Sequence, residues 1–292
     1  MKERTIKVGF IGAGTTGTAL AVTLAQKDYP VIAVASRTLA SAEALAARIS
    51  GCKVYKSVQE VADTAQLVFI TTPDDVIAKV AAEISWHDKQ NAVHCSGAHS
   101  VDILKPVIKY RASPGCLHPL QTFASVEQAI NNIPGSTFAV EAQEPLLTIL
   151  KDMAIALDGE WVALKAGDKV LYHAAAVFAC NYLVTLVKLA TDLWQTFDVP
   201  QEKATKALMP LLRGTLNNIE NVGLPNCLTG PIARGDLGTI KKHLDALEKE
   251  TQILFGMYQE LGLQTIPIAL AKGKIDSQRA TELQALLKRN RL

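Results

Sequence analysis

The sequence predicts an α/β protein in which a doubly wound parallel sheet is followed by an all-α second domain. Three observations predict it. Lys7–Gly17 reads KVGFIGAGTTG, an apolar run that closes on a complete G-x-G-x-x-G (Gly12, Ala13, Gly14, Thr15, Thr16, Gly17) and opens into helix-forming residues. Short apolar runs then alternate with helical stretches as far as Leu164, the pattern of parallel strands joined by helices. After Gly167 no strand pattern remains.

The first element is a buried strand carrying Val8, Phe10 and Ile11, followed by a helix over Thr18–Lys27. In the turn between them, Gly12 makes the tight bend, Gly14 lets backbone approach a pyrophosphate, and Gly17 lets helix pack on strand. The helix start offers free N–H groups to phosphates. Val31–Ala35 reads as a second strand, Ser41–Ile49 as a helix, Lys53–Tyr55 as a short strand and Val58–Ala62 as a helical turn. Leu67–Thr71 is a fourth strand, and Pro73 suits the first turn of the helix over Asp75–Ile84. Ala92–Cys95 is a fifth strand ending at Ser96-Gly97, then a helix over Val101–Tyr110 and a sixth strand over Gly115–Gln121. Thr137–Val140, a helix at Pro145–Leu157 and Trp161–Leu164 complete the sheet edge.

Asp168–Phe197 reads as one long helix, apolar nearly all round between Ala174 and Leu189, and so expected to be buried, with a second subunit as the expected cover. A helix from Pro200 to about Asn221, a Gly/Pro-broken loop at Gly223–Gly235, a helix over Asp236–Leu261 capped by Asp236, and a last helix at Ser277–Arg289 follow. The domains are therefore placed at 1–166, dinucleotide-binding, and 167–292, helical, for substrate and dimerisation.

Of the 292 residues, 49% are apolar and 20% charged, enough for a sizeable core. A net charge of +2 points to neither a nucleic-acid nor a membrane-surface partner. Five cysteines without a C-x-x-C suit reduced thiols in a cytoplasmic protein. The charged MKERTIK start lacks the apolar core of a leader. The apolar run Ala174–Val187 is interrupted by Asn181 and is read as too short to span a bilayer. No G-x-S-x-G elbow supports a serine hydrolase. Cys95, His99, Cys116 and His118 fit no usual zinc spacing, so no metal is expected.

Ligands of such sheets bind off the carboxyl ends of the strands, so Thr71, Thr72 and Pro73 are expected to face the cofactor. At the end of the second strand, where an NAD site has a carboxylate for the ribose, this chain has Ser36, Arg37 and Thr38. An arginine flanked by hydroxyls can pair a phosphate, so the expected cofactor is NADP.

His94-Cys95-Ser96-Gly97, His118-Pro119-Leu120-Gln121-Thr122-Phe123, Tyr172-His173-Ala174-Ala175-Ala176 and Leu228–Asp236 (LTGPIARGD) are spread over nearly the whole chain. In these segments and in its domain order the sequence resembles the 6-phosphogluconate dehydrogenase-like superfamily. It is most similar to a branch of oxidoreductase-like proteins with a helical domain of unknown function, and more distantly to ketopantoate reductase and the beta-hydroxyacid dehydrogenases. The latter two carry Lys-x-x-x-Asn on the first long helix of the second domain. Here the matching positions are Lys169 and His173, so the resemblance implies Lys169 for proton transfer, with His173 where asparagine is expected. Residues four apart share a helix face. Asn181, eight residues on, is a further candidate, and would need a partner if buried. Ser96 and His118, at strand ends, are expected to orient the reacting group; Arg234 could clamp a carboxylate.

These readings combine into an NADP-dependent oxidoreductase moving hydride to or from a small polar, carboxylate-bearing alcohol, ketone or imine in a cleft between the domains. A non-catalytic NADP-binding sensor is the alternative.

Overall fold

A computed structural model of the chain describes residues 5–289; the reading of the charged start concerns, in part, residues 1–4, which lie outside them. The chain divides after Tyr182 into two compact units.

The first unit holds one eight-stranded sheet in the order β3-β2-β1-β4-β5-β6-β7-β8. Its strands are β1 (Val8–Ile11), β2 (Val31–Ala35), β3 (Lys53–Val54), β4 (Leu67–Ile70), β5 (Asn91–His94), β6 (Ser113–Pro119), β7 (Thr137–Ala142) and β8 (Glu160–Ala163). The helices between them are α1 (Thr15–Gln26), α2 (Leu39–Ala46), α3 (Val58–Thr64), α4 (Ile77–Glu83), α5 (Val126–Asn132) and α6 (Leu146–Ala156). Successive strand residues face opposite sides. Phe10 and Phe69 therefore join the core on one face, stacked with ring centroids 5.0 Å apart, while Ile11 and Ile70 join the core on the other. The chain order reverses between β2-β1 and β4, which places a crevice at the carboxyl ends of β1 and β4.

The sheet is not wholly parallel as expected: β7 runs antiparallel to β6, and β8 is parallel to β7. The intervening helix α5, unmarked in the sequence reading, has only seven residues. At 1.5 Å per residue it spans about 10 Å, about half the length of β6, so the chain re-enters the sheet from the end it left. Val101–Tyr110 is a 3-10 helix with Pro106 inside it rather than an α-helix. Pro106 has no N–H to give.

The long helix expected over Asp168–Phe197 is α7 (Asp168–Ala176), a π turn at Val177–Asn181 and α8 (Tyr182–Gln195). Its apolar face is exposed among the described residues: Leu171 is 77% and Phe178 71% exposed. Asn181 is exposed in the π turn, so the burial cost expected for it does not arise. The stretch Asp168–Gln195 is 28 residues long and contains an 18-residue window of mean hydropathy 1.7, enough by length and composition alone to cross a membrane. The helix that holds the apolar run is thus longer than the run on which the sequence reading judged it too short.

In the second unit, α10 (Leu237–Glu250), α11 (Gln252–Ala271) and α12 (Ser277–Leu287) pack around Ile240, Leu244, Phe255, Ile266, Leu283 and Leu287. Asp236 caps α10, accepting from the Thr239 N–H at 3.0 Å. The single helix expected over Asp236–Leu261 is broken at Thr251, and its second part runs ten residues further. Before them, α9 (Gln201–Val222) buries one residue, Ala204.

Candidate functional site

The glycine turn is built as its spacing predicts. Gly12 has φ +106°, and a Cβ there would lie 2.8 Å from the Thr71 backbone. A Cβ on Gly17 would collide with Thr71 Oγ1 and the Gly12 carbonyl, which Thr71 Oγ1 itself donates to at 2.7 Å. Over Gly14 nothing lies within 4 Å, and no side chain caps α1, which starts there. A polar ligand can therefore reach the first N–H groups of a helix whose dipole favours anions. Thr15 and Thr16 are half-buried in its first turn and Ala13 half-buried before it. Beside the turn, Thr72 Oγ1 is buried without a hydrogen-bond partner. Pro73 is exposed and starts the short 3-10 turn Asp74–Val76. At the end of β2, Ser36 is half-buried, Thr38 precedes α2, and Arg37 is exposed with no ion-pair partner among the described residues. An uncapped helix start, an open glycine face, an orphaned hydroxyl and a free guanidinium fit a dinucleotide with an extra phosphate. A recess of about 580 Å3 lies at the opposite, amino end of the strands, lined by Lys7, Gln66 and Asn91 among others.

A second cluster forms where β5 and β6 end and α7 begins, all within the first unit. Lys169 is 1% exposed. Its Nζ donates to the Ser96 carbonyl at 2.6 Å and to Cys116 Sγ at 3.1 Å. Burial pushes the Cys116 thiol up to about 11, so it stays a thiol. The Ser96 hydroxyl is fully used: it donates to Asp74 Oδ2 at 2.6 Å and accepts from the N–H groups of Ala98 and His99. The Ser96 N–H donates to His94 Nδ1 at 3.1 Å. Glu141, buried in β7, takes the far end of the same loop, accepting from Ser100 Oγ and the Val101 N–H at 3.0 Å each.

Above this held loop, His118 and His173 converge. A Cβ on Gly97 would lie 2.7 Å from both His118 Nε2 and His173 Nδ1. His118 Nδ1 is 2.8 Å from the Tyr172 hydroxyl. His173 Nδ1 is buried with no partner. Burial, then Lys169, then His173 push the His118 pKa down to about 3, so its ring is neutral near pH 7. Burial raises the Tyr172 phenol above its usual range.

The structure brings Ser96, His118, Lys169 and His173 together within the first unit, rather than in the cleft between domains that the sequence reading expected. Asn181 is exposed in the π turn, and Arg234, in the second unit, is exposed and helps hold the Asp236 carboxyl below its usual range, after the Thr239 hydrogen bonds. Sequence reasoning missed Tyr172, Gly97, Asp74 and Glu141. Tyr172 carried a usable signal, standing three residues after Lys169 and directly before His173; Glu141 carried none, since only the antiparallel register sets it opposite Cys116.

Residues 1–119 match the Rossmann-like domain family, and residues 136–265 match a domain of unknown function, DUF2520. The chain joins a Rossmann-like domain to a DUF2520 domain. The DUF2520 match starts beside β7, so this domain spans the end of the first unit and much of the second. Protein TM1727 from Thermotoga maritima is 26% identical, with TM-score 0.75, over 91% of this chain and 99% of that one. BF3122 from Bacteroides fragilis, to which an NADP oxidoreductase activity is ascribed, is 24% identical, with TM-score 0.72, over 91% of this chain and 100% of that one. A reductive aminase from Aspergillus terreus, solved with NADPH and ethyl-5-oxohexanoate, is 14% identical, with TM-score 0.61, over 98% of this chain and 93% of its own. No curated protein matches the chain.

Proposed function

We propose that this Rossmann-like/DUF2520 protein is an NADP-dependent oxidoreductase. It moves hydride between nicotinamide and a small polar substrate, an alcohol–ketone pair or an imine bearing a carboxylate. The observation that carries this reading is the open face over Gly14 at the uncapped start of α1. Gly12–Gly17 and Thr72 would hold the pyrophosphate, with Ser36, Arg37 and Thr38 at the 2′-phosphate and Thr71 and Pro73 lining the approach. When bound, NADPH supplies the hydride. The chain supplies the rest: a loop pinned by Lys169, Ser96 and Glu141, and polar rings poised over Gly97. That the Bacteroides and Aspergillus proteins are described with NADP or NADPH supports the cofactor. Titration with NADPH, followed by fluorescence, is expected to saturate, and Arg37→Asp to weaken binding about tenfold or more, the value of one charge-assisted phosphate contact. Unchanged affinity in that variant would remove the 2′-phosphate assignment.

The sensor alternative separates by single-turnover oxidation of bound NADPH against keto acids, aldehydes and cyclic imines. Tight binding with no turnover of any would favour the sensor.

We further propose that a second copy covers the helices left bare in the second unit. From Val184 to Leu224, in α8, α9 and the turns after them, Val184, Phe197, Leu211, Leu216, Val222 and Leu224 are each more than half exposed, the apolar surface that the core of a stable interface needs. Light scattering is expected to give a dimer in aqueous buffer without detergent. A strict monomer, or recovery only with lipid vesicles, would overturn this.

A further inference from the structure

We propose that His118, set by Tyr172, hands the proton to the substrate's reacting atom, and that this atom is a carbonyl oxygen rather than an iminium nitrogen. The inference rests on the oxidoreductase reading and names its proton donor and substrate class.

The donors nearest by sequence are already committed. Lys169 Nζ is buried and held by the Ser96 carbonyl and Cys116 Sγ, so it cannot rise over Gly97 without leaving both. Lys169 is a positioning residue. A trans peptide sets N–H opposite C=O, so gripping the Ser96 carbonyl aims the Gly97 N–H the other way. The Ser96 hydroxyl, with three partners, has no proton to spare. What faces the space over Gly97 is His118 Nε2 and the unpartnered His173 Nδ1. Only glycine lets both imidazole nitrogens come this close to the backbone at 97.

Tyr172 decides which His118 nitrogen carries the proton. The phenol donating to Nδ1 satisfies both groups across 2.8 Å and leaves Nε2–H pointing over Gly97. The reverse, Nδ1–H donating to the phenol oxygen, would leave the half-buried O–H to solvent and turn a bare Nε2 toward Gly97, beside the bare His173 Nδ1.

The surroundings select the substrate. The charges that act on His118 are Lys169 and His173, both basic. The nearby carboxylates face elsewhere: Asp74 takes the Ser96 hydroxyl, and Glu141 takes Ser100 and Val101. His94 stays neutral, its pKa pushed down to about 3 by burial first, and Cys116 and Tyr172 stay protonated. A cationic iminium would meet like charge here, while negative charge growing on a carbonyl oxygen would be stabilised. As hydride adds to the carbonyl carbon, the C=O π pair moves onto oxygen. The Nε2–H proton passes to that oxygen, the Tyr172 phenolic proton passes to Nδ1, and solvent returns a proton to Tyr172. The balance is one carbonyl, one NADPH and one proton giving one alcohol and one NADP.

Two measurements test this on the full-length protein. With 15N-labelled histidine at pH 7, His118 is expected to show protonated Nε2 and bare Nδ1, and Tyr172→Phe to abolish that preference. A cationic ring, or Nδ1–H in the wild type, overturns the assignment, and this arm needs no cofactor. With NADPH and a panel of 2-keto acids, aldehydes and cyclic imines, carbonyls are expected to be reduced. His118→Asn is expected to lower that turnover about 100-fold or more, the usual share of a general acid, with NADPH affinity kept within about threefold. Imine reduction alone, or carbonyl reduction indifferent to His118, overturns it. Absent NADPH binding by the wild type sinks the parent reading instead, a different signal from lost turnover with binding intact.

Discussion

Two helices of this protein face opposite problems. In α1, eight of twelve residues are buried against the sheet, and its glycine-rich start is fixed by Thr71. In α9, which is 22 residues long, one residue is buried. α9 also carries Pro210, Gly214 and several asparagines, a composition that does not hold a helix in water unaided. The difference teaches that helical sequence alone says little about stability: α1 is held by what it packs on, whereas α9 is left with one buried residue.

The sharpest way to break that comparison is to attack the sheet. Phe69→Ala removes a fully buried ring stacked on Phe10 and is expected to cost about 3–5 kcal/mol in chemical denaturation. A loss below 1 kcal/mol would mean the first unit is no better packed than α9.

Acid provides the next test. Burial holds His94 neutral, with its pKa lowered to about 3. Between that value and the free-histidine range near 6.5 the unfolded chain binds the extra proton, so stability falls as pH drops through this window. The slope is about 1.4 kcal/mol per pH unit for each such histidine, His118 included, so His94→Gln should remove about half of it. A denaturation midpoint unmoved between pH 7 and 4.5 would refute the buried neutral ring.

The smallest expected effect is the most telling for α9. Leu216→Gln with Val222→Gln is expected to change unfolding by less than about 0.5 kcal/mol at high dilution, where surface changes are near neutral. In concentrated samples the same variant should dissociate the dimer and remove the concentration dependence of Tm that a dimer must show. Equal Tm at every concentration in the wild type would leave α9 bare.

Much of the site was legible in the sequence for a stated reason. The strand, G-x-G-x-x-G and helix of β1–α1 are local, and each glycine's task follows from neighbours within a few residues or from the one strand beside it. Lys169 and His173 were legible as a pair because four residues return a helix to one face. That Lys169 is sealed beneath the loop, leaving His118 and Tyr172 on top, was not. It depends on the reach of a lysine to interior strands of the sheet 53 and 73 residues away in sequence, at Cys116 in β6 and Ser96 just past β5.

By itself the sequence determined where strands and helices alternate, where the phosphate-binding turn lies and which residues bear reactive groups, because these follow from local periodicity and side-chain chemistry. Only the tertiary structure decided that β7 turns back, that Ser96 is spent on Asp74 and its own loop, and that the face of α7 and α8 is bare. Periodicity marks which residues need cover or partners; which atoms provide them depends on strand direction, helix length and contacts between residues far apart in the chain.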